Sequence, residues 1–133
     1  MDEDFKFHHI GYAVKDIIKT AEFYLSAGWR LTEIQNDLIQ NTKIAFLIKK
    51  EMPLIELVAP ISETSPITST LEKSGITPYH ICYEVDNIEK SIHKLKNLRF
   101  LELFEPVKAI AFDNRKICYL YNRDVGLIEI LNK

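Results

Sequence analysis

From Phe7 to Val14 the chain alternates, with Ile10, Tyr12 and Val14 on one side and His9, Gly11 and Ala13 on the other. A period of two predicts a β-strand whose large apolar side packs against a helix. The opposite side keeps small residues around His9. Asp16 then offers a helix N-cap, and a stripe of Ile17, Ala21, Tyr24 and Leu25 predicts a helix running to about Ala27 and stopping at Gly28. Strands are predicted at Trp29–Ile34, Lys43–Ile48 and Pro53–Val58, separated by the polar runs Gln35-Asn36-Asp37 and Lys49-Lys50-Glu51, which read as turns. The order is β-α-β-β-β.

That order is then repeated. Tyr79–Val85 alternates with Ile81, Tyr83 and Val85 on one side and His80, Cys82 and Glu84 on the other. Asp86 is the expected cap of a second helix, with Glu89 three residues on completing a capping box and Ile88, Ile92 and Leu95 as the buried stripe. Strands are predicted at Phe100–Phe104, Lys116–Tyr121 and Val125–Leu131. The stretch from Ala59 to Pro78, rich in Ser, Thr and Pro, reads as a linker with a turn or two of helix around Thr68–Lys73. The expected division is a first module of about 5–60, a linker of about 61–77 and a second module of about 78–133.

The repeat is visible residue by residue. His9-Ile-Gly-Tyr-Ala-Val-Lys-Asp-Ile returns as His80-Ile-Cys-Tyr-Glu-Val-Asp-Asn-Ile, and Leu54-Ile-Glu-Leu returns as Leu127-Ile-Glu-Ile. Each half opens with a histidine and closes with a glutamate set among apolar neighbours. Burying an unpaired carboxylate is expensive, so Glu56 and Glu129 demand cationic partners. Imidazole nitrogen and carboxylate oxygen together suit divalent ions such as Ni, Co, Zn or Mn. His9, Glu56, His80 and Glu129 are therefore the expected metal ligands, brought together if the modules pair about a pseudo-twofold axis. His8, on the other side of its strand, and His93, on a polar helix position, are read as incidental.

Composition narrows the function without naming it. The chain has 133 residues, 47% of them hydrophobic, and a net charge of -2, which suits one globular domain and leaves no basic footprint for nucleic acid or a membrane surface. The acidic start is not that of a secretory signal, and no apolar run approaches a membrane span. Cys82 and Cys118 lie in apolar strands and are expected as buried free thiols in a cytoplasmic protein. With four glycines there is no phosphate-cradling loop, no G-x-S-x-G elbow and no C-x-x-C pair.

The segments His9-Ile-Gly-Tyr-Ala-Val, Ile55-Glu-Leu-Val-Ala-Pro60, Ser65-Pro-Ile67, His80 to Ile88 and Gly126-Leu-Ile-Glu129 together resemble the vicinal oxygen chelate superfamily, which includes glyoxalase I, methylmalonyl-CoA epimerase, extradiol dioxygenases and bleomycin-resistance proteins. The resemblance spans essentially the whole chain and leans toward the epimerase and glyoxalase I branch. It implies an α+β fold of two tandem βαβββ modules forming a cup-shaped mixed sheet around a metal site, with ligands at His9, Glu56, His80 and Glu129. It implies an enzyme that moves a proton next to a carbonyl, with Glu56 and Glu129 as the catalytic carboxylates, on a thioester or hemithioacetal substrate. A homodimer is also expected.

Three positions depart from the epimerase pattern and are expected to touch substrate. Lys43 occupies the place of an extra carboxylate, Tyr79 replaces a second histidine, and Arg115 closes the segment 109–115, where epimerases carry a glycine-rich loop. The competing expectations are a non-catalytic small-molecule binding or resistance protein of the same fold, and an auxiliary enzyme acting on a carrier-bound thioester.

Overall fold

The computed structural model describes residues 4–133. The chain divides into two compact units, residues 9–79 and residues 80–133 with the described residues before 9. The elements in chain order are β1 (Lys6–Ala13), α1 (Ile17–Ser26), β2 (Arg30–Leu31), β3 (Gln35–Asp37), β4 (Thr42–Ile48), β5 (Ile55–Pro60), α2 (Pro66–Ser74), β6 (Thr77–Val85), α3 (Ile88–Asn97), β7 (Leu101–Glu102), β8 (Val107–Ala109), β9 (Arg115–Asn122) and β10 (Gly126–Asn132). A single 3-10 turn, Ile110–Phe112, joins β8 to β9. No helix among the described residues is long and apolar enough to cross a membrane.

In the first unit the strand order is β2-β4-β5-β1, with β3 on β4. β1 and β5 are parallel, matching Gly11 to Glu56, while β4 and β5 are antiparallel, matching Phe46 to Glu56. A parallel pair needs a crossover, and α1 lies within it. Asp16 caps α1 by accepting the Lys19 N–H at 3.1 Å. Gly28, at φ +91°, turns the chain out of the helix. Ile17, Ala21 and Tyr24 pack onto Val14, Ala45, Leu47, Leu57 and Ala59. Leu25, expected in that stripe, is exposed instead. The segment 61–77 contributes α2, which buries Ile67 and Leu71 against Ala13 and Val58.

The second unit repeats this plan as β6-β10-β9-β7, with β8 on β9. β6 and β10 are parallel, matching Cys82 to Glu129, and β9 and β10 antiparallel, matching Tyr119 to Glu129. Ile88, Ile92 and Leu95 of α3 pack on Val85, Cys118, Leu120, Ile128 and Ile130. The cap of α3 is Asn87, which accepts the Lys90 N–H at 3.0 Å; Asp86 lies one residue too early and offers its own N–H to Asp4. The repeat explains this, because Asn87 is the counterpart of Asp16. Both cysteines are buried and free.

The two short strands β3 and β8 are absent from the sequence expectation. Gln35-Asn36-Asp37 is polar enough to read as a turn, yet it pairs with β4 from Gln35↔Ile44 to Asp37↔Thr42. Asp37 is buried there, and its carboxylate accepts the backbone and side-chain N–H groups of Gln40. That local satisfaction lets a polar residue enter the strand at little cost.

Candidate metal centre

Strand parity decides which side chains share a surface. In the first unit, Glu56 lies across from Gly11 on β1 and from Phe46 on β4, so His9, Gly11, Ala13, Glu56, Val58, Ile44 and Phe46 face one way. This is the face away from α1. His9 is fully buried and its Nε2 stands 3.4 Å from Oε1 of Glu56, itself buried. The ring of Phe46 meets the His9 ring edge-on at a centroid distance of 6.3 Å.

The second unit builds the same half-site. His80 and Cys82 of β6, Glu129 of β10 and Tyr119 of β9 share the face away from α3. Nε2 of His80 stands 3.2 Å from Oε1 of Glu129, both buried. Tyr119, the counterpart of Phe46, packs edge-on against His80 at 5.1 Å and leans on Phe104 at 5.8 Å.

Each half-site thus offers one imidazole nitrogen and one carboxylate oxygen, excluded from water. Donors 3.2 to 3.4 Å apart, each ~2.1 Å from a shared ion, subtend roughly 100° there, between the octahedral and tetrahedral angles. The type and spacing of the donors in each half therefore fit a divalent ion. Both pairs are out of water on the faces opposite α1 and α3, and in the first unit α2 covers the neighbouring Ala13 and Val58. Each unit thereby supplies half of the expected ligand set.

The three substrate positions fare differently. Lys43 pairs with Ala59, three residues along from the Phe46↔Glu56 pair, so it lies on the opposite side of the sheet from Glu56 and is exposed. This corrects the expectation that it borders the site; the alternation of side chains along β4 is the reason. Tyr79 lies out of phase with His80 on β6 and packs, half-buried, against the α2 cluster of Ile67 and Leu71. Arg115 is on the face of Tyr119 and Glu129, where its Nη1 donates to Glu84 Oε2 at 2.8 Å and its Nε to the Phe112 carbonyl at 3.2 Å. Sequence reasoning passed over Glu84 as Arg115's partner and the aromatic pair Phe46 and Tyr119. The signals were present. Glu84 shares the parity of His80, and Phe46 and Tyr119 are separated by the same 73 residues as the two glutamates.

Residues 8–119 match the family model of the glyoxalase/bleomycin resistance protein/dioxygenase superfamily. The chain is 30% identical over 129 residues to the human mitochondrial methylmalonyl-CoA epimerase, covering 94% of this chain and 72% of that one. It is 28% identical to the ethylmalonyl-CoA/methylmalonyl-CoA epimerase of Cereibacter sphaeroides, covering 94% and 96%. Among solved structures, a hypothetical protein of Bacillus halodurans superposes with a TM-score of 0.85 at 33% identity, covering 97% of this chain and 94% of that one. The methylmalonyl-CoA epimerase of Mycobacterium tuberculosis shares the fold with a TM-score of 0.83 at 24% identity, covering 96% and 87%.

Proposed function

Because the chain belongs to the glyoxalase/bleomycin resistance protein/dioxygenase superfamily, we propose that it is a metal-dependent epimerase of a 2-substituted malonyl thioester such as methylmalonyl-CoA. The observation that carries this reading is the pair of buried His–Glu half-sites on matching strands of the two units. The epimerase relatives support the choice of reaction over the glyoxalase I alternative, which would use the same four ligands.

In the proposed site His9, Glu56, His80 and Glu129 would hold a divalent ion. When bound, the ion supplies Lewis acidity toward the negative charge that develops on the substrate's oxygen. The protein's own residues do the rest. The two imidazoles, braced edge-on by Phe46 and Tyr119, fix the donor directions. Burial keeps water from competing for the acidic proton. Epimerisation removes the proton of the acyl carbon from one side and returns one on the other. Glu56 and Glu129, equivalent members of the two halves, are the carboxylates assigned to those two steps. Positioned proton transfer of this sort contributes roughly 10²–10⁴-fold.

The test is to load the purified chain with Ni, Co, Mn or Zn and offer (2R)-methylmalonyl-CoA in deuterium oxide, beside the hemithioacetal of methylglyoxal and glutathione. Conversion to the 2S epimer with deuterium at the acyl carbon, abolished by chelation, is expected. Turnover of the hemithioacetal alone transfers the assignment to glyoxalase I. A chain that retains no metal and processes neither compound is a binding protein of the same fold.

A further inference from the structure

Beside each half-site the register sets side chains in rows across the sheet, and the rows end differently in the two units. In the second unit the first row is Glu129, Tyr119 and Leu103, whose N–H bonds the Tyr119 carbonyl at 3.0 Å. The next row on the same face is Leu127, Tyr121 and Leu101. In the first unit Thr32 bonds the Phe46 carbonyl in the same way, at 2.9 Å. Pairing and alternation there give the rows Glu56, Phe46 and Thr32, then Leu54, Ile48 and Arg30. The places nearer the centre keep their character. At the sheet edge, Thr32 and Arg30 are replaced by Leu103 and Leu101.

Edge strands ordinarily carry polar or charged side chains, which discourage pairing with other chains. The first unit follows that rule, since Arg30 is exposed and the Thr32 hydroxyl accepts the Phe46 N–H at 2.8 Å. The second unit breaks it. Leu101 is 63% exposed, Leu103 46% and Tyr121 45%. Phe104, which packs on Tyr119 at 5.8 Å, is 37% exposed. Single exposed leucines need no explanation, but a contiguous apolar strip marks a contact surface. This one is continuous with the row that holds Glu129, so its occupant is a group attached to whatever Glu129 acts on.

Neighbouring strands are ~4.8 Å apart, and successive rows along a strand are ~7 Å apart. A substituent on the carbon whose proton Glu129 moves therefore meets Tyr119 first. Leu103 lies one strand further out, and Leu127, Tyr121 and Leu101 one row along. A methyl group reaches no further than Tyr119, whereas a butyl group covers the remaining distance. We infer that the strip formed by Leu101, Leu103, Tyr119 and Tyr121 receives an alkyl substituent of the reacting carbon, so that the protein favours 2-alkylmalonyl thioesters longer than methylmalonyl. This rests on the reading of the substrate as a malonyl-type thioester.

The experiment compares 2-butylmalonyl-CoA with 2-methylmalonyl-CoA on the metal-loaded protein. The readout is the ratio of their kcat/KM values for deuterium incorporation. The variant combines Leu101→Arg with Leu103→Thr, the residues of the first unit, at exposed positions where the fold tolerates them. Full burial of a methylene is worth about a fourfold gain, so partial burial of the additional ones should make the ratio fall roughly 10- to 60-fold in the double variant. An unchanged ratio overturns the inference. Sedimentation of both proteins tests the other occupant: a wild-type dimer that the double variant dissolves assigns the strip to a second copy and also overturns it. If the wild type turns over neither thioester, the epimerase reading has failed, and calorimetry with 2-butylmalonate and 2-methylmalonate decides the strip. Tighter binding of the butyl compound that is lost in the double variant supports it, and equal affinities, or no binding, overturn it.

Discussion

Removing the metal should cost this protein a measurable part of its stability, and Glu129→Gln should remove most of that dependence. Glu129 is 1% exposed and its Oε1 stands 3.2 Å from Nε2 of the His80 imidazole. An anion so deeply buried costs several kcal/mol unless a cation compensates it. An ion present at a thousandfold excess over its dissociation constant adds ~4.1 kcal/mol to the folded state. For 133 residues the unfolding entropy is about 280 cal/mol/K, so chelation should lower Tm by roughly 15 °C. Glutamine has nearly the same volume as glutamate and no charge, so it removes both the anionic donor and the buried charge. The metal-free Glu129→Gln chain should therefore melt at or above the metal-free wild type, with a much smaller rise on adding metal. Differential scanning calorimetry with and without chelator measures all four values. A wild-type Tm indifferent to chelation, or a variant that responds to metal as strongly as the wild type, refutes the reasoning.

Other outcomes follow from named residues. In deuterium oxide, and with each variant saturated with metal, Glu56→Gln and Glu129→Gln should each slow exchange from one epimer of the substrate by roughly 10²–10⁴-fold while sparing the other more; equal losses for both epimers in both metal-saturated variants would rule out one carboxylate per side. Asn87→Ala should destabilise the chain by about 1 kcal/mol and Asp86→Ala by less, as read by urea unfolding, since Asn87 is the residue that caps α3. The Cys118 thiol is pushed up to about 12, chiefly by burial and then by the nearby Glu102 carboxylate, and it donates to the Phe104 carbonyl. In the folded chain it should stay unreactive toward iodoacetamide at pH 8.5 and label only on unfolding. Because folding holds that proton more tightly, its stabilising effect is complete below the ordinary thiol value of 9.0 and is lost as pH rises toward 12. Leu57→Ala, at a fully buried position beneath α1, should cost about 2–5 kcal/mol with metal content unchanged.

The sequence alone carried both half-sites because the repeat and the strand alternation act on the same residues. His9 and His80 were placed away from the helix-facing apolar set, and that is where the strands put them. Long elements with strong periodicity were legible for the same reason. What escaped was decided by tertiary contacts. β3 and β8 have three residues each, too few for a period to show, and they exist because a neighbouring strand offers them hydrogen bonds. α2, Pro66–Ser74, runs longer than the turn or two of helix expected around Thr68–Lys73, because Ile67 and Leu71 find Ala13 and Val58 to cover. Lys43 was assigned by analogy of position, and counting its parity against Phe46 would have removed it. Leu25 shows the converse, an apolar residue that the helix leaves in solvent.

Duplication suits the proposed reaction for a reason that goes beyond supplying ligands. An epimerase must work on two mirror-related positions of one proton, and a repeated unit supplies two equivalent carboxylates, Glu56 and Glu129. Equivalence alone is not sufficient. If the substrate bound in either of two orientations, one carboxylate would serve both epimers and the second would be redundant. Directional dependence on each carboxylate therefore requires something that fixes the orientation, and a fixed orientation requires the repeat to be broken. The structure breaks it where Ala13 and Thr42 give way to Glu84 and Arg115. On the proposed reading the retained part of the repeat supplies the two carboxylates, and orientation of the substrate falls to positions where the halves differ.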